Sequence, residues 1–251
     1  MPALRRAVAV LDYISEACGE VSAARLAQDL KIPKSTLHGL LSAMEELGLI
    51  YRDRLGRIQT GARPLAWSRD FVAKSDLASA FHRYFNSPQA QQGILAGYTM
   101  TMTILDGANV VYIACSQAHQ PLGVTFQVGM RLPAPFTATG KILLAALPEA
   151  ELATTFAGTF PPPLTRLSVR DLAALRAVFP AQEARGYSVD DGEVREGMIC
   201  LGAAICDHSR HVKAALALSV TRPEAKAAQI STLGMALKGA ADQISHLLGA
   251  P

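Results

Sequence analysis

Two cysteines and two histidines in the last quarter of the chain could in principle bind a metal ion, because zinc accepts thiolate and imidazole ligands. They are Cys200, Cys206, His208 and His211. On one strand the two cysteines would share a face, but the strand would separate them by ~20 Å. They therefore cannot both reach one ion, and the histidines fall in a polar turn. The pattern predicts no metal site and no cofactor.

A second group of residues could act as general acids, general bases or nucleophiles. It consists of Asp190, Asp191, Glu193 and Glu196. A solvated acidic loop is the commoner state of such a cluster. Gly140-Lys141 is similar to the end of a phosphate-binding loop, but Pro135 stands where that loop needs glycine and Ile142 where it needs Ser or Thr. These residues predict no enzyme. The alternative that stays open is a metal-dependent or hydrolytic α+β enzyme with an accessory nucleic-acid-binding domain.

A third group of residues suits contacts with DNA. Short polar or basic side chains follow a proline at helical spacing, and three arginines come soon after: Lys34, Ser35, Thr36, His38, Ser42, Arg52, Arg54 and Arg57. Short polar groups and the N–H groups at a helix start reach base edges and phosphates, whereas arginines suit phosphates. The alternative interpretation, without DNA binding, is an ordinary surface helix followed by a charged hairpin.

The elements that would position this third group favour DNA binding. The spacing predicts helices over residues 4–17, 22–30 and 34–47, the last two separated by Lys31-Ile32-Pro33, and strands over 49–52 and 57–59. One face of the third helix is apolar and should pack inward: Leu37, Leu40, Leu41, Met44 and Leu47. The ordered set predicts a winged helix-turn-helix whose polar helix face enters the major groove.

Composition and charge agree with this arrangement. Of the 251 residues, 50% are hydrophobic and 18% are charged, so a sizeable core can form. Residues 1–74 carry 11 basic and 8 acidic residues, whereas residues 75–251 carry 13 of each, so the net charge of +3 lies in the first third. The chain shows no membrane-spanning run and no secretory signal, which predicts a cytoplasmic protein.

The rest of the chain predicts an α+β domain. Strands are expected at residues 97–105, 110–116, 122–128, 199–207 and 212–221, and helices at 136–147, 168–185 and 223–248. Between the two regions, Leu65, Trp67, Phe71 and Leu77 suit one or two linking helices. Mixed strands and helices around one sheet are typical of a domain that senses small molecules.

The chain resembles the isocitrate lyase regulator (IclR) family of bacterial transcription factors over nearly its whole length. The first domain carries residues 26–36 (LAQDLKIPKST) and Leu47-Gly48-Leu49-Ile50. The second carries 129–133 (GMRLP), 137–141 (TATGK), 186–193 (GYSVDDGE) and 200–205 (CLGAAI). The resemblance implies a GAF-like effector domain, dimers or tetramers, and regulation by a small organic acid or aromatic compound. The expected domains are residues 1–60, a linker helix at 61–75, and 76–251.

The resemblance also implies which residues bind the effector: Arg131, Ala138, Thr139, Gly140, Asp190, Cys200 and Gly202. The pocket should lie between the strand at residues 200–204 and the start of the helix at Phe136, where N–H groups could receive an anion. Gly202 and Ala204 would leave room for an aromatic ring. The alternative is that these small residues only allow tight packing of a helix on the sheet.

Assembly follows from the expected mode of DNA recognition. One recognition helix reads only a few base pairs, so a homodimer or homotetramer on pseudo-palindromic operator DNA is expected. Leu65, Trp67 and Phe71 are the candidates for contacts between subunits. The alternative is that these three side chains pack within their own chain.

Overall fold

The computed structural model describes residues 3–17, 19–73, 75–117, 126–225 and 227–251. It divides into two compact units, Met1–Lys74 and Ser75–Pro251. Among the described residues, no helix combines the length and the apolar character needed to cross a membrane.

The first unit is a helix-turn-helix followed by a small hairpin and one more helix. Its elements are α1 (Ala3–Glu16), α2 (Ala23–Asp29), α3 (Lys34–Glu46), β1 (Ile50–Arg52), β2 (Ile58–Thr60) and α4 (Arg63–Ala73). Ser22 caps α2 by accepting a hydrogen bond from the Arg25 N–H. After α3, Gly48 takes a left-handed conformation with φ +69° and turns the chain into β1.

The apolar face of α3 contributes three buried side chains to the core of this unit. Leu37, Leu41 and Met44 are buried, and they pack with Leu26 of α2 and residues of α1 and the hairpin. Leu40 is only partly buried. The expectation that Leu47 packs inward is wrong: the helix ends at Glu46, and the Leu47 side chain is exposed.

The second unit is built on one antiparallel sheet with helices on both faces. Its elements are α5 (Asp76–Phe85), α6 (Pro88–Gln92), β3 (Thr99–Asp106), β4 (Asn109–Ser116), β5 (Arg131–Pro133), α7 (Ala138–Ala145), α8 (Glu149–Thr155), α9 (Leu172–Arg185), β6 (Ser188–Asp191), β7 (Met198–Cys206), β8 (Val212–Thr221) and α10 (Ala227–Leu247). The strand order is β5-β4-β3-β8-β7-β6. The strand predicted at 122–128 falls partly on residues 122–125, outside the described residues, and 126–128 are not in a strand.

The two faces of the sheet differ in character because side chains alternate along each strand. Leu201, Ala203 and Ile205 of β7 pack into the apolar cluster beneath α10 and α5. Met198 and Cys200, on the opposite face, belong to the cluster around α7. The sheet thus has a bulky apolar side under α10 and a side with smaller and more polar residues under α7.

Candidate functional site

The polar face of α3 is open to solvent. The side chains of the five residues predicted to contact DNA from this helix are all exposed: Lys34, Ser35, Thr36, His38 and Ser42. The Ser42 hydroxyl donates to the His38 carbonyl at 3.1 Å, so its oxygen keeps acceptor capacity toward solvent. The buried opposite face fixes which way these five residues point.

The start of α3 presents backbone donors. Pro33 occupies the N-cap position and makes no side-chain cap hydrogen bond. The first N–H groups of a helix have no acceptor within the helix, and they carry the positive end of its dipole. This end of α3 can therefore receive an anionic oxygen beside Lys34.

The three arginines of the hairpin differ in their partners. Arg52 Nε lies 3.2 Å from Glu45 Oε2. Arg57 pairs with Asp53 in the hairpin turn and with Glu20 at 2.8 Å, and so ties the hairpin to the segment before α2. Within the described part of the chain, only Arg54 of the three has an exposed guanidinium with no ion-pair partner.

Asp53 organises the turn between the two strands of the hairpin. One of its carboxylate oxygens accepts hydrogen bonds from the N–H groups of Leu55 and Arg57, both at 2.9 Å. Partial burial of Asp53 opposes ionisation, but these bonds and the Arg57 guanidinium hold its pKa below the ordinary value. The turn is thereby fixed with Arg54 at its tip.

A cavity of about 10 Å³, enough for about one water molecule, lies in the second unit, between the start of α7 and the sheet. Its walls come from the smaller, more polar face of the sheet and from residues before and in α7: Thr101, Tyr112, Phe126, Thr137, Ala138, Thr139, Asp190, Val194, Met198, Cys200, Ala217 and Ser219. Four residues of the predicted effector set therefore share one cavity: Ala138, Thr139, Asp190 and Cys200.

The N-terminus of α7 forms one wall of this cavity. Thr137 caps the helix, because its hydroxyl oxygen accepts the Gly140 N–H at 2.9 Å. The N–H of Gly140 is thus already used. Ala138 and Thr139 stand in the first turn, where helix geometry provides no intrahelical acceptor for the N–H. A carboxylate in the cavity could accept hydrogen bonds from these two groups.

The other three residues of the predicted set do not line this cavity. A Cβ at Gly202 would come within 2.7 Å of the Ala138 backbone, and a Cβ at Gly140 within 2.1 Å of the Ala134 carbonyl oxygen. Both glycines allow close packing, so the expectation that Gly202 leaves room for a ring is corrected in favour of tight helix–sheet packing. Arg131 pairs with Asp106 at 2.6 Å.

Asp190 and Cys200 are neighbours across two strands, since they are register partners in β6 and β7. The Asp190 carboxylate accepts the Glu193 N–H at 2.6 Å and, more weakly, the Val194 N–H. Burial raises the pKa of Asp190 to about 7, against the opposing effects of these bonds and of Lys141. The Cys200 sulfur lies 3.2 Å from the Ser219 hydroxyl, and burial raises the pKa of its thiol.

Behind the cavity lies a buried ion pair that the sequence did not predict. Lys141, only 2% exposed, pairs through Nζ with Glu193 and donates to the Val189 carbonyl at 3.0 Å. The second carboxylate oxygen of Glu193 accepts the Val169 N–H. Glu193 is therefore buried, which corrects the expectation of a solvated acidic loop for this residue, whereas Asp190 lines the cavity as the resemblance implied.

Several other cavity residues also escaped the sequence analysis, among them Thr101, Tyr112 and Ser219. One signal was available. Residues 99–103 read TMTMT, and strict alternation on a strand puts the hydroxyls on one face and the methionines on the other. The pairing of β3 with β8 aligns that hydroxyl face with Ala217 and Ser219, and a strand register of this kind cannot be read from sequence.

The chemistry of the cavity is that of binding. It offers hydroxyls, one carboxyl, a thiol, two backbone N–H groups and the stacked rings of Tyr112 and Phe126, whose centroids lie 5.4 Å apart. With its pKa raised, the Cys200 thiol is a poor nucleophile. Among the described residues, no group of three or more His, Cys, Asp or Glu side chains could hold a metal ion.

Comparison with known proteins identifies both units. The IclR helix-turn-helix domain matches residues 3–54, and the bacterial transcriptional regulator IclR C-terminal domain matches residues 72–246. The HTH-type transcriptional regulator XynR of Escherichia coli K12 is 27% identical over 249 residues, which cover 99% of this chain and 97% of XynR.

Solved structures of related proteins also match nearly the whole chain. The Agobacterium tumefaciens repressor BlcR is 45% identical, with a TM-score of 0.65 over 100% of this chain and 98% of that one. An IclR homologue from Microbacterium hydrocarbonoxydans, solved with 4-hydroxybenzoate, is 21% identical with a TM-score of 0.78 over 98% of both chains, which shows a shared fold. The protein is a transcription regulator with a helix-turn-helix DNA-binding domain and an effector-binding domain, and it is not an enzyme. The chain belongs to the IclR family of bacterial transcription regulators.

Proposed function

We propose that the protein is a cytoplasmic repressor that binds pseudo-palindromic operator DNA and responds to a small organic acid. The polar face of α3, with its open N-terminus beside Lys34, is the observation that carries DNA recognition. The description of the related BlcR as a repressor supports the direction of regulation. The cavity at the start of α7 supports the response to an acid.

Within the DNA-binding unit we assign separate roles to the helix and the wing. Ser35, Thr36, His38 and Ser42 face the major groove and contact base edges, whereas Lys34 and the N–H groups beside it contact phosphate. In the wing, Arg54 contacts phosphate directly. Arg52 and Arg57 already pair with carboxylates, so each contributes less to phosphate binding than its charge suggests.

Replacing Arg54 tests the wing. We expect Arg54→Ala to weaken DNA binding about equally for all sequences and to lower the slope of log K against log salt by roughly 1 per wing bound. Ser42→Ala should instead change the preference among operator sequences. Fluorescence anisotropy with labelled duplexes over a salt series measures both effects.

The matched control is Arg166→Ala, which removes an exposed arginine from the second unit. It should leave both the affinity for DNA and the salt slope unchanged. If correctly folded Arg54→Ala bound DNA like the unmodified protein, the wing assignment would be wrong.

For the effector, we propose a small acid whose carboxylate accepts the N–H groups of Ala138 and Thr139. The cavity of about 10 Å³ is far smaller than small-molecule sites, about 300–1,000 Å³, so binding requires the side chains that line it to move apart. Tyr112 and Phe126 provide an aromatic wall, and on that wall, not on space at Gly202, we base the preference for an aromatic acid. Asp190 would accept a hydrogen bond from a ligand hydroxyl or donate one when protonated.

A thermal-shift screen tests this assignment. We expect 4-hydroxybenzoate to raise the melting temperature by mass action, by a few degrees at about a hundred times Kd. Ala217→Leu, which fills the cavity, should abolish the shift. Stabilisation by glyoxylate but by no aromatic acid would contradict the aromatic preference, and a shift that survives Ala217→Leu would place the ligand elsewhere.

A further inference from the structure

The cavity contains one ionisable carboxyl and, among its described lining residues, no lysine, arginine or histidine. Its only full charge is therefore the one that Asp190 can carry. One oxygen of Asp190 accepts the N–H groups of Glu193 and Val194, which fixes the carboxyl at the cavity wall. An incoming acid thus meets a carboxyl group with no side-chain cation in the cavity to compensate it.

The lysine of α7, Lys141, is already paired with another group. Lys141 lies two residues beyond the α7 positions that line the cavity, but its ammonium group pairs with Glu193 and donates to the Val189 carbonyl. Besides Lys141 on α7 and Glu193 in the loop after β6, the titratable groups that face Asp190 are the neutral Cys200 thiol of β7 and the neutral Tyr112 phenol of β4. The Lys141 charge is thus balanced by Glu193 and is not available to balance a second carboxylate.

Two carboxylates confined in one small space repel each other, and such pairs share a single proton. A ligand carboxylate that accepts the N–H groups of Ala138 and Thr139 would share this small cavity with Asp190. Burial, the largest of several causes, already raises the pKa of Asp190 to about 7, so a nearby ligand carboxylate needs to raise it only a little further for Asp190 to stay protonated.

We propose that the cavity binds its acid together with one proton, which Asp190 holds and uses to donate a hydrogen bond to the ligand. The inference rests on the proposed function, because it takes the ligand of this cavity to be an organic acid. The site then selects monocarboxylates over dicarboxylates, since a second carboxylate finds neither a cation nor a second proton. The proton comes from solvent, and no covalent bond to the ligand forms.

Isothermal titration calorimetry tests the proposal with 4-hydroxybenzoate and glyoxylate, whose carboxyl groups are ionised throughout the range from pH 6.0 to 8.5. Measurement in two buffers of different ionisation enthalpy gives the number of protons taken up. We expect uptake to approach one proton at pH 8.5, and Kd to rise about tenfold for each pH unit above 7. Asp190→Asn should take up no proton, should bind with a pH-independent Kd, and at pH 8.5 should bind more tightly than the unmodified protein.

The matched control is Asp191→Asn, since Asp191 is the exposed neighbour of Asp190 and pairs with Arg222. It should keep the full proton uptake and the pH dependence of Kd. Binding of either acid without proton uptake, at a Kd unchanged from pH 6.0 to 8.5, would overturn this inference alone. If neither acid bound at pH 6.0, where Asp190 is protonated, both this inference and the proposed effector class would fall.

Discussion

Adjacent residues of the same type have opposite environments in β6. Asp190 is buried against the cavity, whereas Asp191 is exposed and pairs with Arg222. The cause is strand alternation, which turns neighbouring side chains to opposite faces. Three residues later, Glu193 is again buried, with Lys141 as its partner. Asp190, Asp191 and Glu193 therefore differ in burial and in the groups that they contact, although they lie within four consecutive residues.

The Lys141–Glu193 pair gives a prediction about stability. Lys141→Met should destabilise the second unit by roughly 3–5 kcal/mol, because it leaves the Glu193 carboxylate buried without its cation. The double variant Lys141→Met/Glu193→Gln should recover a large part of this loss, since no unpaired charge remains. Urea denaturation followed by circular dichroism measures the free energy of unfolding.

The control for this pair is Arg222→Ala, which breaks the exposed contact with Asp191. We expect it to change the free energy of unfolding by at most about 1 kcal/mol, because solvent screens the pair. If Arg222→Ala and Lys141→Met lowered the free energy of unfolding equally, the buried pair would contribute no more to stability than the exposed one.

At the scale of elements, the sequence predicted the long helices and strands well. Leu37, Leu41 and Met44 recur at helical spacing, and the helix between Pro33 and Gly48 lies where the pattern puts it. The strands β3, β4, β7 and β8 also agree to within a few residues. Each of these elements is long enough for its period to be recognised, and Pro or Gly marks several of the ends.

The elements that the sequence did not predict are short or depend on distant partners. β5 has three residues and β6 has four, too few for a period to be recognised. The cavity needs α7, β3, β4, β6, β7 and β8 to meet, and only the register brings Asp190 opposite Cys200. The role of Gly202 likewise depends on the approach of Ala138, which lies 64 positions earlier in the sequence. The local sequence pattern does not predict which distant segments pack against each other.

At the scale of the molecule, the first unit exposes apolar side chains that need a partner. Leu65, Trp67 and Phe71 of α4 are 73%, 57% and 55% exposed. This exposure argues against their packing within their own unit, and we propose that they form contacts between subunits. Light scattering should give a mass two or four times the 26.7 kDa of the chain. Leu65→Ser/Phe71→Ser should lower that mass and weaken operator binding.

Leu55→Ser is the control for assembly, because Leu55 is an equally exposed apolar residue at the tip of the hairpin. It should leave the mass unchanged. Since Trp67 is the one tryptophan of the chain, its fluorescence reports the same event. A monomer at concentrations that saturate the operator would contradict the proposed assembly.

The lengths of the strands have a consequence for aggregation. The longest strands, β7 and β8, have nine and ten residues and lie inside the sheet, whereas the outermost strands, β5 and β6, are the shortest. A short outer strand presents few free backbone groups for a foreign strand to pair with, and Pro133 removes one donor from β5. The edges of the sheet therefore offer few positions at which strands of other molecules could add in an amyloid-like manner. Pairing between sheets would therefore compete little with the assembly through α4 proposed above.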